Sequence, residues 1–251
     1  MKGTSIKNYI WLGLHWRYLQ DANPGTSIHG SSVVLFNIKA VRRLLINFGL
    51  HVTERAATEL TELETEFENT AENATLTVDQ SNKLKETMRI LQRTLSAETE
   101  GSIAYIVTDK RLDIKKLLNN TAALFSPNVF TTIPEIARHD FEEAGKCIAF
   151  ERATAAAFHI LRGTEGVLRW YYCSVVKKSR VSPLLWGTIT SHLRKRRTPP
   201  PIELLNNLDN IRHSFRNPTQ HPEKNYDIQE VQDLYGLCID VVNRMTKEAR
   251  G

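Results

Sequence analysis

Cysteine is scarce in this sequence: Cys147, Cys173 and Cys238 are the only three in 251 residues. They lie far apart, with no Cys-x-x-Cys pair and no metal-type spacing to histidine, which argues against a disulfide framework and a zinc-ribbon scaffold. All three fall inside apolar helical patterns, so reduced, buried thiols in a cytoplasmic protein are expected. A run of about 18 apolar residues is also missing, which excludes a transmembrane helix. The first residues show no basic head, apolar run and small-residue cleavage site, so no secretory leader is expected. No glycine-rich phosphate loop or dinucleotide fingerprint occurs, and we expect no cofactor.

What is present is the composition of an ordinary globular protein, 41% apolar and 24% charged. The length allows one large domain or two small ones. Charge is uneven along the chain. Residues 1–150 carry 17 Lys and Arg against 18 Asp and Glu, whereas residues 151–251 carry 16 against 10. The net +5 of the chain therefore comes from its last hundred or so residues, and a basic excess of this kind suits either a polyanion such as nucleic acid or a solvated surface.

Apolar periodicity predicts a mainly α protein with two regions, 1–133 and 134–251. In the first, residues 5–20 suggest a short helix and 21–32 a loop. Residues 33–50 begin with a β-like run and continue as a helix through Ile38, Val41, Leu45 and Phe48. Two stripes, Leu60-Leu63-Phe67 and Leu84-Met88-Leu91-Leu95, predict an antiparallel helical hairpin turning at 69–79. Glu62, Glu64, Glu66 and Glu68 on its first arm read as a solvated face rather than a metal site. Residues 102–108 are the one strand expectation, 111–118 suit a short helix, and 119–132 read as a linker. Beyond Pro134 five amphipathic stripes follow, each the spacing of one buried helix face: Ala137 to Ile148, Ala157 to Val175, Trp186 to Leu193, Leu204 to Phe215, and Ile228 to Met245. Short connections between them predict an up-down bundle. Trp11, Trp16, Trp170 and Trp186 all read as core.

The fourth stripe ends abruptly in Asn-Ile-Arg-His-Ser-Phe-Arg-Asn-Pro-Thr-Gln-His-Pro, residues 210–222. Pro218 biases Asn217 away from helical geometry, and Pro222 follows His221. Arg216, Asn217, Gln220 and His221 thus share one tight connection, with Arg212 a turn earlier on the same side and Asp209 beyond it. An arginine grips phosphate through paired hydrogen bonds, and a histidine moves protons near neutral pH. Together they suit cleavage of RNA by its own 2′-hydroxyl without a metal, an asparagine orienting either group. His213 faces away from Arg212 and reads as exposed or packing. Tyr226 reads either as part of the site or as a helix-start packing residue.

The run Arg216-Asn217-Pro218-Thr219-Gln220-His221 matches Arg-Asn-x-x-x-His and resembles the HEPN superfamily, whose common motif this is. Residues 140–172, an alanine-rich helix with Phe158, His159 and then Glu165, are similar to bacterial HEPN-like proteins. The resemblance covers about 134–251. It implies an all-helical domain, often a homodimer with both motifs in one composite cleft. It implies a metal-independent endoribonuclease in toxin–antitoxin or phage-defence settings, with RNA as substrate and an antitoxin or regulatory protein as a further partner. Arg216, Asn217 and His221 would be catalytic, with Glu165 and Arg212 supporting. Glu165 suits a surface pair with Arg169 or Arg162 equally well. Arg152 and His159 satisfy the Arg-to-His spacing too, but they share one helical pattern, and His159 reads as a core histidine. Arg194, Lys195, Arg196 and Arg197 read either as an RNA-backbone contact or as a solvated turn. An ordinary helix end also remains open: Arg216 beside the negative end of a helix dipole and Asn217 as a cap. In that case the chain is a non-catalytic interaction module.

Overall fold

Each of the five stripes beyond Pro134 is a helix in a computed structural model, which describes residues 4–221 and 224–250. The fold divides into two units, Met1–Ala104 and Tyr105–Gly251.

The first unit is built from α1 (Ile6–Gln20), α2 (Val34–Phe48), α3 (His51–Ala56), α4 (Thr58–Glu68) and α5 (Val78–Thr99). Each boundary has a local cause. The Ser5 side chain accepts from the Lys7 amide at the start of α1. Gly49, at φ 68°, closes α2 in the left-handed conformation that glycine adopts without a Cβ penalty. Thr77 and Gln80 cap α5 reciprocally. Leu19, Ile38, Leu45, Leu60, Leu63, Phe67, Leu84 and Met88 form its core. The expected hairpin is α4 with α5, and its antiparallel register shows in the pairs Glu66–Gln80, Glu62–Lys83 and Glu59–Thr87. Basic side chains also meet the acidic arm, Lys39 at Glu68 and Arg42 at Glu64. Two expectations fail in this unit. The β-like start of residues 33–50 is helical from Val34: Val34 continues the buried face of Ile38, Val41 and Leu45, while Phe36 is left 47% exposed. Trp11 is not core: it is 43% exposed and stacks on His15 with ring centroids 5.4 Å apart.

The second unit begins with α6 (Ile114–Asn119), a 3-10 turn (Thr121–Leu124) and α7 (Val129–Thr132). The bundle follows: α8 (Glu135–Ala149), α9 (Ala153–Val175), α10 (Trp186–Arg194), α11 (Ile202–Ile211), a π-helical turn (Arg212–Arg216), α12 (Asn217–Thr219) and α13 (Ile228–Arg250). Residues 119–132 are therefore not a linker. Thr121, Phe125, Val129 and Phe130 are buried, and the apolar members among them join the bundle core with Leu117. That burial is why the division falls after Ala104 and not after residue 133. Residues 102–108 form no strand: Ile103, Tyr105 and Ile106 are 72–82% exposed. Among the described residues the only β pairing is an isolated bridge between Ser27 and Thr75, so the segment has no strand to pair with and β propensity alone does not hold it.

Two glycines set the helix spacing around α8. A Cβ on Gly145 would lie 2.5 Å from the Leu117 carbonyl oxygen, so α6 crosses α8 at van der Waals contact there. A Cβ on Gly163 would lie 3.1 Å from Asp140 Cβ and 3.3 Å from the Phe141 ring, so α9 meets α8 just as closely. The tyrosine at the centre of α13 ties into the same layer, the Tyr235 hydroxyl donating to the Phe141 carbonyl at 2.9 Å.

Candidate active site

α11 buries Leu204, Leu205, Leu208 and Ile211 on one face. The helix then widens. The Asn217 amide donates to the Arg212 carbonyl, five residues back, in place of the carbonyl four back. Asn217 itself is helical, at φ −66° and ψ −50°, and not extended, the geometry that a following proline favours. The wide turn explains the difference. It displaces the carbonyl that the Pro218 ring would strike in a regular helix, and Pro218 sits in the first turn of α12, where no intrahelical amide bond is required. Thr219 is buried beneath the turn. Its hydroxyl donates to the Phe215 carbonyl at 2.6 Å and lies 2.6 Å from the Tyr226 hydroxyl. Tyr226, 7% exposed, also donates to the Phe215 carbonyl at 3.2 Å. Its role is thus to anchor the turn from beneath, the packing alternative.

The π turn projects Arg216 into a cavity of about 380 Å³ lined with side chains of α9, including His159, Arg162 and Glu165. Glu165 Oε2 lies 3.4 Å from both Arg216 Nε and Nη2. The other oxygen of Glu165 accepts from Arg169 at 2.6 Å. Both readings of Glu165 therefore hold in one geometry: a surface pair with Arg169 and a restraint on Arg216. At 3.4 Å the restraint is long for a hydrogen bond. Arg216 is half-buried, its side chain 31% exposed.

His159 stands on the same cavity. It is not a core histidine: its side chain is 28% exposed, and Nδ1 lies 3.0 Å from Asp140 Oδ1. Asp140 on α8 is almost sealed, 1% exposed. It also receives Arg162 Nε, at 2.9 Å and 2.8 Å to its two oxygens, and Arg162 Nη2. Burial pushes this carboxyl up, but hydrogen bonds from Arg162 and then His159 outweigh it and hold the group below its ordinary value. The one legible signal for this pair was Asp140 itself, a carboxylate in the apolar stripe of Ala137, Phe141 and Ala144. Nothing in the sequence paired it with His159.

The remaining expected residues line neighbouring depressions. Arg212 and Asn217 share a second depression with Arg216, Trp186, Gly187 and Thr188. The Arg212 guanidinium lies flat on Gly187, where a Cβ would come within 2.6 Å of Arg212 Cζ. His221 is exposed and lines a third, shallow depression with His213, Asn217, Pro218 and Lys224. Within one chain, then, Arg216 and His221 open onto different depressions, joined through Asn217. Gln220 lines the Arg216 cavity. In the basic run, Arg194 is paired with Asp209 at 2.7 Å and with Asn206 at 2.8 Å, while Lys195 and Arg197 are exposed. No known protein family, no curated protein and no solved structure matches this chain.

Proposed function

We propose that the second unit is a HEPN-type endoribonuclease that cleaves RNA by 2′-hydroxyl attack. The observation that carries this reading is Arg216: an arginine on a π turn, half-buried, only loosely held by Glu165, at the wall of a cavity large enough for part of a nucleotide. Guanidinium donors bind and polarise a phosphate as charge grows on its oxygens. The 2′-oxygen attacks phosphorus, the bond to the 5′-oxygen breaks, and the products carry a 2′,3′-cyclic phosphate and a 5′-hydroxyl. DNA lacks the nucleophile and is not cut. Asn217 and His221 complete the motif, and Arg212 with Lys195 and Arg197 contacts the backbone. The resemblance further implies a homodimer, in which two such turns share one cleft, and a toxin or phage-defence role restrained by a protein partner.

A second reading, a helical module that binds RNA or a protein without cutting, is favoured by one observation: His221 lies outside the Arg216 cavity of its own chain. Induced expression separates the two. Wild type is compared with an Arg216→Ala/His221→Ala double mutant at equal soluble levels, following growth and total RNA, and the purified protein is then assayed on single-stranded RNA in chelator. Growth arrest and RNA fragmentation by wild type alone support the ribonuclease. Identical behaviour in cells, together with no cleavage by the purified protein, supports the binding module.

A further inference from the structure

We propose that the Arg216 cavity is a phosphate site with its own proton-transfer group, His159, oriented by Asp140. The chemistry rests on the ribonuclease reading; the phosphate site does not.

The tautomer follows from the partner. A carboxylate only accepts, so the 3.0 Å contact places a hydrogen on His159 Nδ1. Nε2, on the opposite edge of the ring, is then the basic nitrogen. Asp140 is held in turn by Arg162 and by the close crossing of α8 and α9 at Gly163, so the imidazole is oriented by a buried, hydrogen-bonded group. The charged groups around His159 are Asp140 and Glu143 on α8, Arg162 and Glu165 on α9, and Arg216 on the π turn. Glu165 is already engaged by Arg169 and Arg216. Arg162, 62% exposed, and Arg216 flank the imidazole with positive charge, an arrangement that suits a phosphate mono- or diester. In the reaction, His159 Nε2 takes the 2′-hydroxyl proton as the 2′-oxygen–phosphorus bond forms. The phosphorus–5′-oxygen bond breaks, and the 5′-oxygen takes a proton from water. The imidazolium returns its proton to the hydroxide left behind.

The test uses the full chain labelled with ¹⁵N-histidine and adenosine 3′-monophosphate as the probe. Expected is an Nδ1–H tautomer for His159 and a rise in its titration midpoint on adding the nucleotide, because a phosphate dianion favours imidazolium. Arg216→Ala should abolish that rise at the same concentration. An unmoved His159 midpoint at millimolar nucleotide, or the same rise in Arg216→Ala, overturns the site. For the chemistry, His159→Gln retains an amide donor for Asp140 but cannot carry a proton. It should fold like wild type and cut RNA at least about 100-fold more slowly, with the acidic limb that a general base imposes gone from the pH profile. His159→Ala should regain part of the rate in free imidazole. Cleavage by His159→Gln at the wild-type rate overturns the proton-transfer role and leaves the ribonuclease reading standing if Arg216→Ala is inactive. Absence of cleavage by wild type, with the nucleotide response intact, removes the ribonuclease reading and the proton-transfer role together while the phosphate site remains.

Discussion

Asp140 is the residue on which burial, charge and geometry converge. A sealed carboxylate is tolerated only when it is paired and hydrogen-bonded, and Arg162 and His159 supply both. Its pKa in the fold lies below the unfolded value. Such a group contributes stability that is fully present above the unfolded carboxyl pKa, about 3.9, and is lost as pH falls through the lower folded value. Asp140→Asn should therefore be less stable than wild type at pH 7. The gap between the two urea midpoints should narrow as the pH is taken from about 5 to below the unfolded carboxyl pKa of about 3.9. A gap that stays constant over that range would mean that the charge of Asp140 does not support the fold.

At the scale of elements, the helices of the bundle were legible because each has a long apolar stripe at the helical period, from Ala137-Phe141-Ala144-Ile148 on α8 to Val231-Tyr235-Cys238-Val242 on α13. Short pieces were not. Residues 102–108 carry β propensity but no partner, and 119–132 contain turn formers yet bury Phe125 and Phe130. Both outcomes depend on tertiary packing, which a local window does not contain. The π turn was half-legible. Pro218 announced a disturbance near residue 217, but whether a proline extends a chain or widens a helix depends on what lies beneath it. Here that support is the Thr219–Tyr226 pair. The site shows the same division: Arg216 and Glu165 were found from spacing and resemblance, whereas Asp140 and His159 come together only through the α8–α9 crossing. Tyr226→Phe tests the support. Removing one buried hydroxyl should cost about 1 kcal/mol, lowering Tm by roughly 2–4 °C for a unit of this size. Amide exchange should accelerate across residues 212–219, and RNA cleavage should slow, while α8, α9 and α13 keep their protection. Unchanged exchange in that segment would show that Tyr226 does not hold the turn.

Across the whole molecule, charge and core divide along the same line. The unit Met1–Ala104 carries 11 basic and 12 acidic residues, and Tyr105–Gly251 carries 22 and 16. All the excess positive charge thus belongs to the unit that holds Arg216. Each unit also has its own apolar core, the first around Leu60, Phe67 and Leu84, the second around Phe141, Leu168 and Tyr235, and both fall within the size at which a single domain folds alone. No helix among the described residues is long and apolar enough to cross a membrane. The fragment Tyr105–Gly251, expressed without the first unit, should show cooperative thermal unfolding by circular dichroism. It should also bind single-stranded RNA with an affinity that falls as salt rises from about 50 to 200 mM, because counterions leave the RNA backbone when Lys and Arg bind it. Met1–Ala104 alone, balanced in charge, should fold but bind RNA weakly under the same conditions. Tight RNA binding by the first unit would move nucleic-acid recognition away from the Arg216 face. Non-cooperative melting of Tyr105–Gly251 would mean that its core is incomplete without the preceding hundred residues.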